Sequence, residues 1–236
     1  MCTVSFVSTS DKIIITSNRD EQIIRPNAVS PKFYSINGFN LIYPKDSKAG
    51  GTWFVASESG TILVLLNGAK EKHQVQPPYR KSRGLVVLDL ISCFSPKDFW
   101  NEIDLDNIEP FTLVLFQNNL LFQLRWNGTE KETISLDTNQ KHIWSSSTLY
   151  PAAIHEKRSK WFYTFIDQID EISESKMYDF HSKTETQNIE NGLVINRNDA
   201  LKTLSITQAV LENKKVTVQH YDLISNQDFS TSFPII

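Results

Sequence analysis

The first twenty positions hold two short β-rich runs, Thr3 to Val7 and Lys12 to Thr16, separated by the polar cluster Ser8-Thr9-Ser10-Asp11. That pattern predicts a hairpin at the extreme N-terminus. The chain therefore begins inside a sheet, which holds first residues that would otherwise fray. After a polar loop, Thr52 to Ala56 and Thr61 to Leu66 repeat the pattern around Glu58-Ser59-Gly60, and Asn67-Gly68 is a turn closing the second strand. The spacing then becomes helical. Ser82 is a candidate cap for a helix reaching about Cys93. Ser95-Pro96-Lys97-Asp98 places a capping hydroxyl, Pro at the first helical position and an acid at the third before Phe99 and Trp100.

Strand patterns return at Phe111 to Phe116, Leu120 to Trp126 and Glu132 to Leu136, with Gln117-Asn118-Asn119 and Asn127-Gly128 as turns. Ile154, Trp161, Phe162, Phe165, Ile166 and Ile169 mark Pro151 to Ile169 as an amphipathic helix with its basic face outward. Asp170 to Asn198 is the most polar region and reads as a long surface excursion, although it carries Met177, Tyr178 and Phe180. Leu204 to Leu211 and Val216 to Tyr221 are strands around Glu212-Asn213-Lys214. Runs of strands and helices segregated in this way predict an α+β layered sandwich rather than alternating βαβ units.

The 236 residues are 40% hydrophobic and 22% charged, enough apolar mass for one sizeable core, and no linker-like stretch or repeat divides them. One domain over 1–236 is expected. The net charge of −3 comes from evenly mixed signs, so the basic stripe that nucleic-acid binding needs is missing. The longest apolar runs, such as Ile62 to Leu66, fall far short of the roughly 20 residues that span a bilayer. The start lacks the charged and apolar regions of a signal peptide, and two cysteines, Cys2 and Cys93, make no disulfide framework. A cytoplasmic location follows as the expectation, and Asn127-Gly128-Thr129 then reads as a turn rather than a glycosylation site. His73, His142, His155, His181 and His220 show no metal-ligand spacing, so no structural metal is expected. No Gly-rich nucleotide motif occurs either.

The residue with the richest chemistry is Cys2. A small side chain after the initiator permits removal of Met1, which frees the α-amino group of Cys2 and puts a nucleophile and a base on one residue. The amine, with a reference pKa of about 7.7–8.0, can accept the proton of a thiol at about 8.5. Asn18-Arg19-Asp20-Glu21 follows the second strand, where a hairpin returns toward the chain's start. An Arg there favours thiolate and a carboxylate can orient the ammonium; the alternative is a solvated turn with an Arg–Asp surface pair.

Met1-Cys2-Thr3 followed by Ser17-Asn18-Arg19-Asp20-Glu21 resembles the opening of the NRDE protein family, also called transport and Golgi organisation 2. Gly50-Gly51-Thr52-Trp53, Leu66-Asn67-Gly68, Ser82-Arg83-Gly84 and Ser145-Ser146-Ser147-Thr148 before Tyr150-Pro151 match in family order over most of the chain. That family resembles N-terminal-nucleophile (Ntn) hydrolases, and the opening is similar to the Cys-type group with bile-salt hydrolase and penicillin V acylase. The resemblance implies a four-layer αββα sandwich, with Arg19 and Asp20 flanking Cys2 and with Asn18 beside them as a substrate contact. It implies an oxyanion or substrate contact for Asn67, whose other reading is a plain Asn-Gly turn. Ser146 and Ser147 stand where the acylases carry an oxyanion-hole Asn, and Lys202 stands nearest to their late Arg; both are departures. Trp53 reads as a wall of the site or as a core Trp, and Arg83 as an anchor for an anionic substrate group or a solvent-facing side chain beside Arg80 and Lys81.

Two functions compete. In one, Cys2 hydrolyses a non-peptide acyl amide, helped by Arg19, Asp20 and Asn67. In the other the same pocket binds haem or an acyl lipid without catalysis, as the family's association with haem trafficking and lipid homeostasis implies. No cofactor is expected beyond haem as a bound ligand.

Overall fold

The computed structural model describes residues 3–235. Cys2 lies outside the described residues. The expected N-terminal hairpin forms from β1 (Thr3–Ser8) and β2 (Lys12–Gln22), with Thr3 opposite Asn18 and Ser8 opposite Ile13. Asn18 to Glu21 do not follow the second strand; they are part of it. Their backbone is paired on the far edge by β12 (Leu201–Glu212), where Thr203 faces Asp20 and Ser205 faces Arg19 across a bulge. A strand with a partner along its whole length does not turn where its side chains become charged.

This first sheet runs from β10 (His142–Ser145) through β1, β2 and β12 to β13 (Lys215–Asp222) and β14 (Gln227–Pro234), with the short β11 (Asn196–Arg197) also on β12. The second sheet is an antiparallel meander of β3 (Val29–Ile36), β4 (Phe39–Lys45), β5 (Phe54–Ser57), β6 (Ile62–Asn67), β7 (Phe111–Gln117), β8 (Leu120–Trp126) and β9 (Lys131–Leu136). Helices α1 (Arg83–Ile91) and α2 (Pro96–Glu102) pack on β5, β6 and β7; α3 (Ala152–Gln168) and α4 (Glu174–Lys183) pack on β10, β2 and β12. The order of layers is therefore helix, sheet, sheet, helix, the αββα sandwich of Ntn hydrolases.

Alternation along β1 and β2 builds two cores at once. Val4, Phe6 and Ile15 face the second sheet and join its Phe54, Leu63 and Phe111. Val7 and Ile14 face the helices and join Phe162, Met177 and Phe180. Those last two residues correct the reading of 170–198 as a surface excursion, because α4 there buries Met177, Phe180 and His181 completely. Ser173 caps it, accepting from the Lys176 N–H. The basic face of α3 is not all outward either: Arg158 is fully buried. Strands β3, β4, β10 and β14 were not predicted; β3 and β14 have mostly half-covered or exposed side chains and show little apolar alternation.

Candidate active site

Because side chains alternate, neighbours on β2 serve opposite faces of the first sheet. Arg19 turns toward the second sheet, where its guanidinium lies 4.2 Å from the Trp53 ring centre and donates to Asp46 Oδ2 at 3.0 Å. Asp46 is the organiser of this wall. It also accepts from Arg25 Nε at 2.7 Å and Arg25 Nη2 at 3.0 Å, and from the Lys48 and Ala49 N–H groups at 3.1 and 2.7 Å. Burial pushes its carboxyl pKa up, but Arg25, the Ala49 N–H and Arg19 outweigh this and hold it below the ordinary value. For Arg19, burial draws the pKa below the usual arginine value against the pull of Glu21 and Asp46. A guanidinium is not deprotonated in proteins, so Arg19 remains a cation.

These residues form one wall of a cleft of about 370 Å³. The opposite wall is the start of α1, and two glycines set its distance. A Cβ on Gly51 would lie 2.3 Å from the Gly84 carbonyl carbon, and one on Gly84 would lie 2.9 Å from the Thr52 carbonyl oxygen. Without side chains the backbones meet, and the Thr52 N–H donates to the Gly84 carbonyl at 3.1 Å. The two glycine-bearing sequence motifs are thus one structural feature, the contact that brings Trp53 and Arg83 to the same cleft. Trp53 is both wall and core: it lines the cleft and is 4% exposed. Arg83 does not face open solvent. It is bound to Glu109 Oε2 at 3.0 Å and to the Pro110 carbonyl at 3.2 Å.

Asn67, at the end of β6, lines the cleft, and among the described residues its carboxamide has no hydrogen-bond partner. Its carbonyl accepts from Ser146 Oγ at 2.8 Å, while Ser147 Oγ donates to the Glu71 carbonyl at 3.2 Å. A serine hydroxyl has one proton to give, so neither Ser146 nor Ser147 offers an oxyanion donor in this arrangement. They fix the Asn67-Gly68 turn instead. Gly68 has φ +82°, and a Cβ there would sit 2.3 Å from Ser147 Oγ.

On the other face of β2, Asp20 accepts from Tyr150 Oη at 2.7 Å and Thr203 Oγ1 at 2.6 Å. Asn18 is fully buried away from the cleft. Its amide donates to the His181 and Leu193 carbonyls at 3.1 and 2.8 Å, and its oxygen accepts from His181 Nδ1. This leaves His181 Nε2 to accept from Ser5 Oγ at 2.7 Å. Burial, helped by Arg158, lowers the His181 pKa to about 3. Lys202 pairs with Asp199 at 2.7 Å and does not line the cleft, so it does not stand in for a late Arg.

Sequence reasoning missed Arg158, Tyr150 and Asp46. Arg158 donates to Thr3 Oγ1 at 2.5 Å and to the Asn191 and Gly192 carbonyls, with its guanidinium 3.6 Å from the Tyr150 ring centre. It thereby ties the start of β1 to α3. Its period-breaking position among apolar helix residues was the signal available; Asp46 gave none, since it sits in a loop-like Pro-Lys-Asp-Ser stretch.

A profile of the family described as transport and Golgi organisation 2 matches residues 1–233. The chain belongs to that family. No curated protein sequence matches it. Among solved structures, the N-acylethanolamine-hydrolyzing acid amidase ortholog of Caenorhabditis elegans is similar with a TM-score of 0.60 at 12% identity, over 88% of this chain and 92% of that one. Two variants of the conjugated bile acid hydrolase from Clostridium perfringens are similar at 9% identity. Their TM-scores are 0.55 and 0.56; each match covers 99% of this chain, and 97% and 98% of theirs. At such identities the likeness concerns the fold, and it agrees with the αββα layers. Among the described residues no cluster suited to a metal occurs, and no helix is long and apolar enough to cross a membrane.

Proposed function

We propose that the chain is an N-terminal-cysteine amidase acting on a non-peptide acyl amide. The observation that carries this is Arg19. It is a buried cation held by Asp46 and Trp53 on β2, next to the residue that pairs with Thr3, and it faces a cleft of substrate size. The fold shared with an acid amidase and a bile acid hydrolase supports the same reading.

With Met1 removed, the α-amine of Cys2 takes the thiol proton and Arg19 favours the thiolate. Sulfur attacks the amide carbonyl carbon, and the carbonyl π electrons move onto oxygen, where the Asn67 amide is the candidate donor. The C–N bond then breaks, the amine leaves with the proton returned by the α-ammonium, and a thioester remains. Water, deprotonated by the α-amine, cleaves the thioester to a carboxylic acid and restores the thiol. Asp20, fixed by Tyr150 and Thr203, acts by orienting the end of β2.

The test is hydrolysis of a broad N-acyl amide panel by processed protein and by Cys2→Ala. Turnover confined to the native protein supports the assignment. Failure of both across the panel overturns it, and a haem titration followed at the Soret band then becomes the next experiment; among the described residues no histidine lines this cleft.

A further inference from the structure

The amidase reading uses Arg19 and Asn67 and leaves the other wall of the cleft unexplained. Four basic side chains line the cleft: Arg19, Arg25, Lys81 and Arg83. Its acids are already engaged. Asp46 holds Arg19 and Arg25, Glu109 holds Arg83 and His73, and Glu21 lies 3.6 Å from Arg25. What remains is an excess of donors. Among the described residues Arg19 gives one of its five N–H groups, to Asp46, and the buried Trp53 Nε1 has no partner at all. Arg83 gives one hydrogen bond to Pro110 and one ion pair to Glu109, and it opens α1, where the Leu85 N–H reaches the Ser82 carbonyl but the Arg83 and Gly84 N–H groups have no acceptor within the helix.

A buried donor without an acceptor, as Trp53 Nε1 is, is costly, and a ligand that brings an oxygen acceptor relieves it. The planar fork of Arg83 suits a planar carboxylate, the group that arginine binds best. The apolar members of the lining, Ala49, Trp53, Leu65 and Tyr79, do not make the continuous wall a long acyl chain needs. We propose that the cleft takes a small amide bearing a carboxylate, received by Arg83 and the start of α1 while the amide lies toward Arg19. The substrate part of this rests on the amidase reading; the carboxylate site does not.

Binding to the Cys2→Ala protein by titration calorimetry separates the two. The probes are succinamate against succinamide and N-acetylglycine against N-acetylglycinamide, which place the carboxylate on either side of the amide. The acid of at least one pair should bind about tenfold or more tightly than its neutral partner, the worth of a charge-assisted hydrogen bond, and Arg83→Gln should abolish the preference. Equal binding within both pairs, no binding of either acid, or a preference that survives Arg83→Gln overturns the proposal. The paired comparison stands without the variant should Arg83→Gln not fold. Turnover of neutral amides alone by processed protein keeps the amidase reading and overturns this one. Acid binding without any turnover supports the carboxylate site and overturns the amidase reading.

Discussion

Arg19 owes its position to Asp46, a residue 27 positions away, just past the end of β4. Asp46 collects two arginines and two backbone N–H groups, so Asp46→Asn replaces an acceptor by a donor that faces a guanidinium. Leaving such a charge unpaired costs about 3 kcal/mol, which urea unfolding will register. The same variant should slow Cys2 alkylation by releasing Arg19 from Trp53. The importance of Arg19 was legible in the sequence, because Asn-Arg-Asp-Glu after a strand is a conspicuous run. Its partner was not: a contact between a strand and a distant loop has no local pattern. Asn18 fails for the complementary reason. It belongs to the same run, yet one step along a strand reverses the face, and its amide serves α4 rather than the cleft.

Among elements, the approach of α1 to the 50–53 loop is the feature with the least tolerance. Gly84 lies in the first turn of a helix, where Ala normally stabilises by up to about 1 kcal/mol relative to Gly. Here a Cβ would meet the Thr52 carbonyl oxygen at 2.9 Å and its nitrogen at 3.0 Å. The sign should therefore invert, with Gly84→Ala destabilising by about 1–3 kcal/mol; a melting temperature at or above that of the native protein would refute the contact. Helix α4 supplies a second case. Phe180 is fully buried among Phe162, Met177 and Val210, and Phe180→Ala should cost about 3–5 kcal/mol by chemical denaturation. Sequence reading left α4 as a surface excursion, since a ten-residue helix that shows only Met177, Phe180 and His181 to the core has too few apolar positions to set a period. The long helix α3 and the hairpins were legible because their periodicity spans many residues, whereas the αββα layer order followed only from the family resemblance. The weakly patterned β3 and β14 were not, because tertiary pairing rather than side-chain alternation places them.

For the molecule as a whole, two buried histidines make stability depend on pH, His181 between the first sheet and its helices and His220 on β13 beside the Trp53 ring. His181 has a folded pKa of about 3 and His220 of about 4, both lowered first by burial from an ordinary 6.5. Below pH 6.5 the unfolded chain gains protons that the folded one refuses, so stability falls as pH falls toward 4. Each histidine contributes about 1.4 kcal/mol per pH unit at most. Asp46 acts lower: its depressed carboxyl gives stability above its unfolded value near 3.8 and loses it as pH drops through the folded value. Urea midpoints measured from pH 7.5 to 5.0 should decline, and His181→Asn should be less stable at pH 7.5 but decline less steeply. Parallel profiles would place the acid sensitivity elsewhere.

The central claim, that Cys2 is a free and activated N-terminal nucleophile, is tested most directly by mass spectrometry of the purified protein during alkylation across pH. Cys93 is the internal control, a half-covered thiol whose pKa burial pushes up. Loss of Met1 together with Cys2 labelling at a midpoint clearly below about 8.5, the ordinary thiol value, and ahead of Cys93 is the expected result. Retention of Met1, or a Cys2 that labels no faster than an ordinary thiol, would contradict the account.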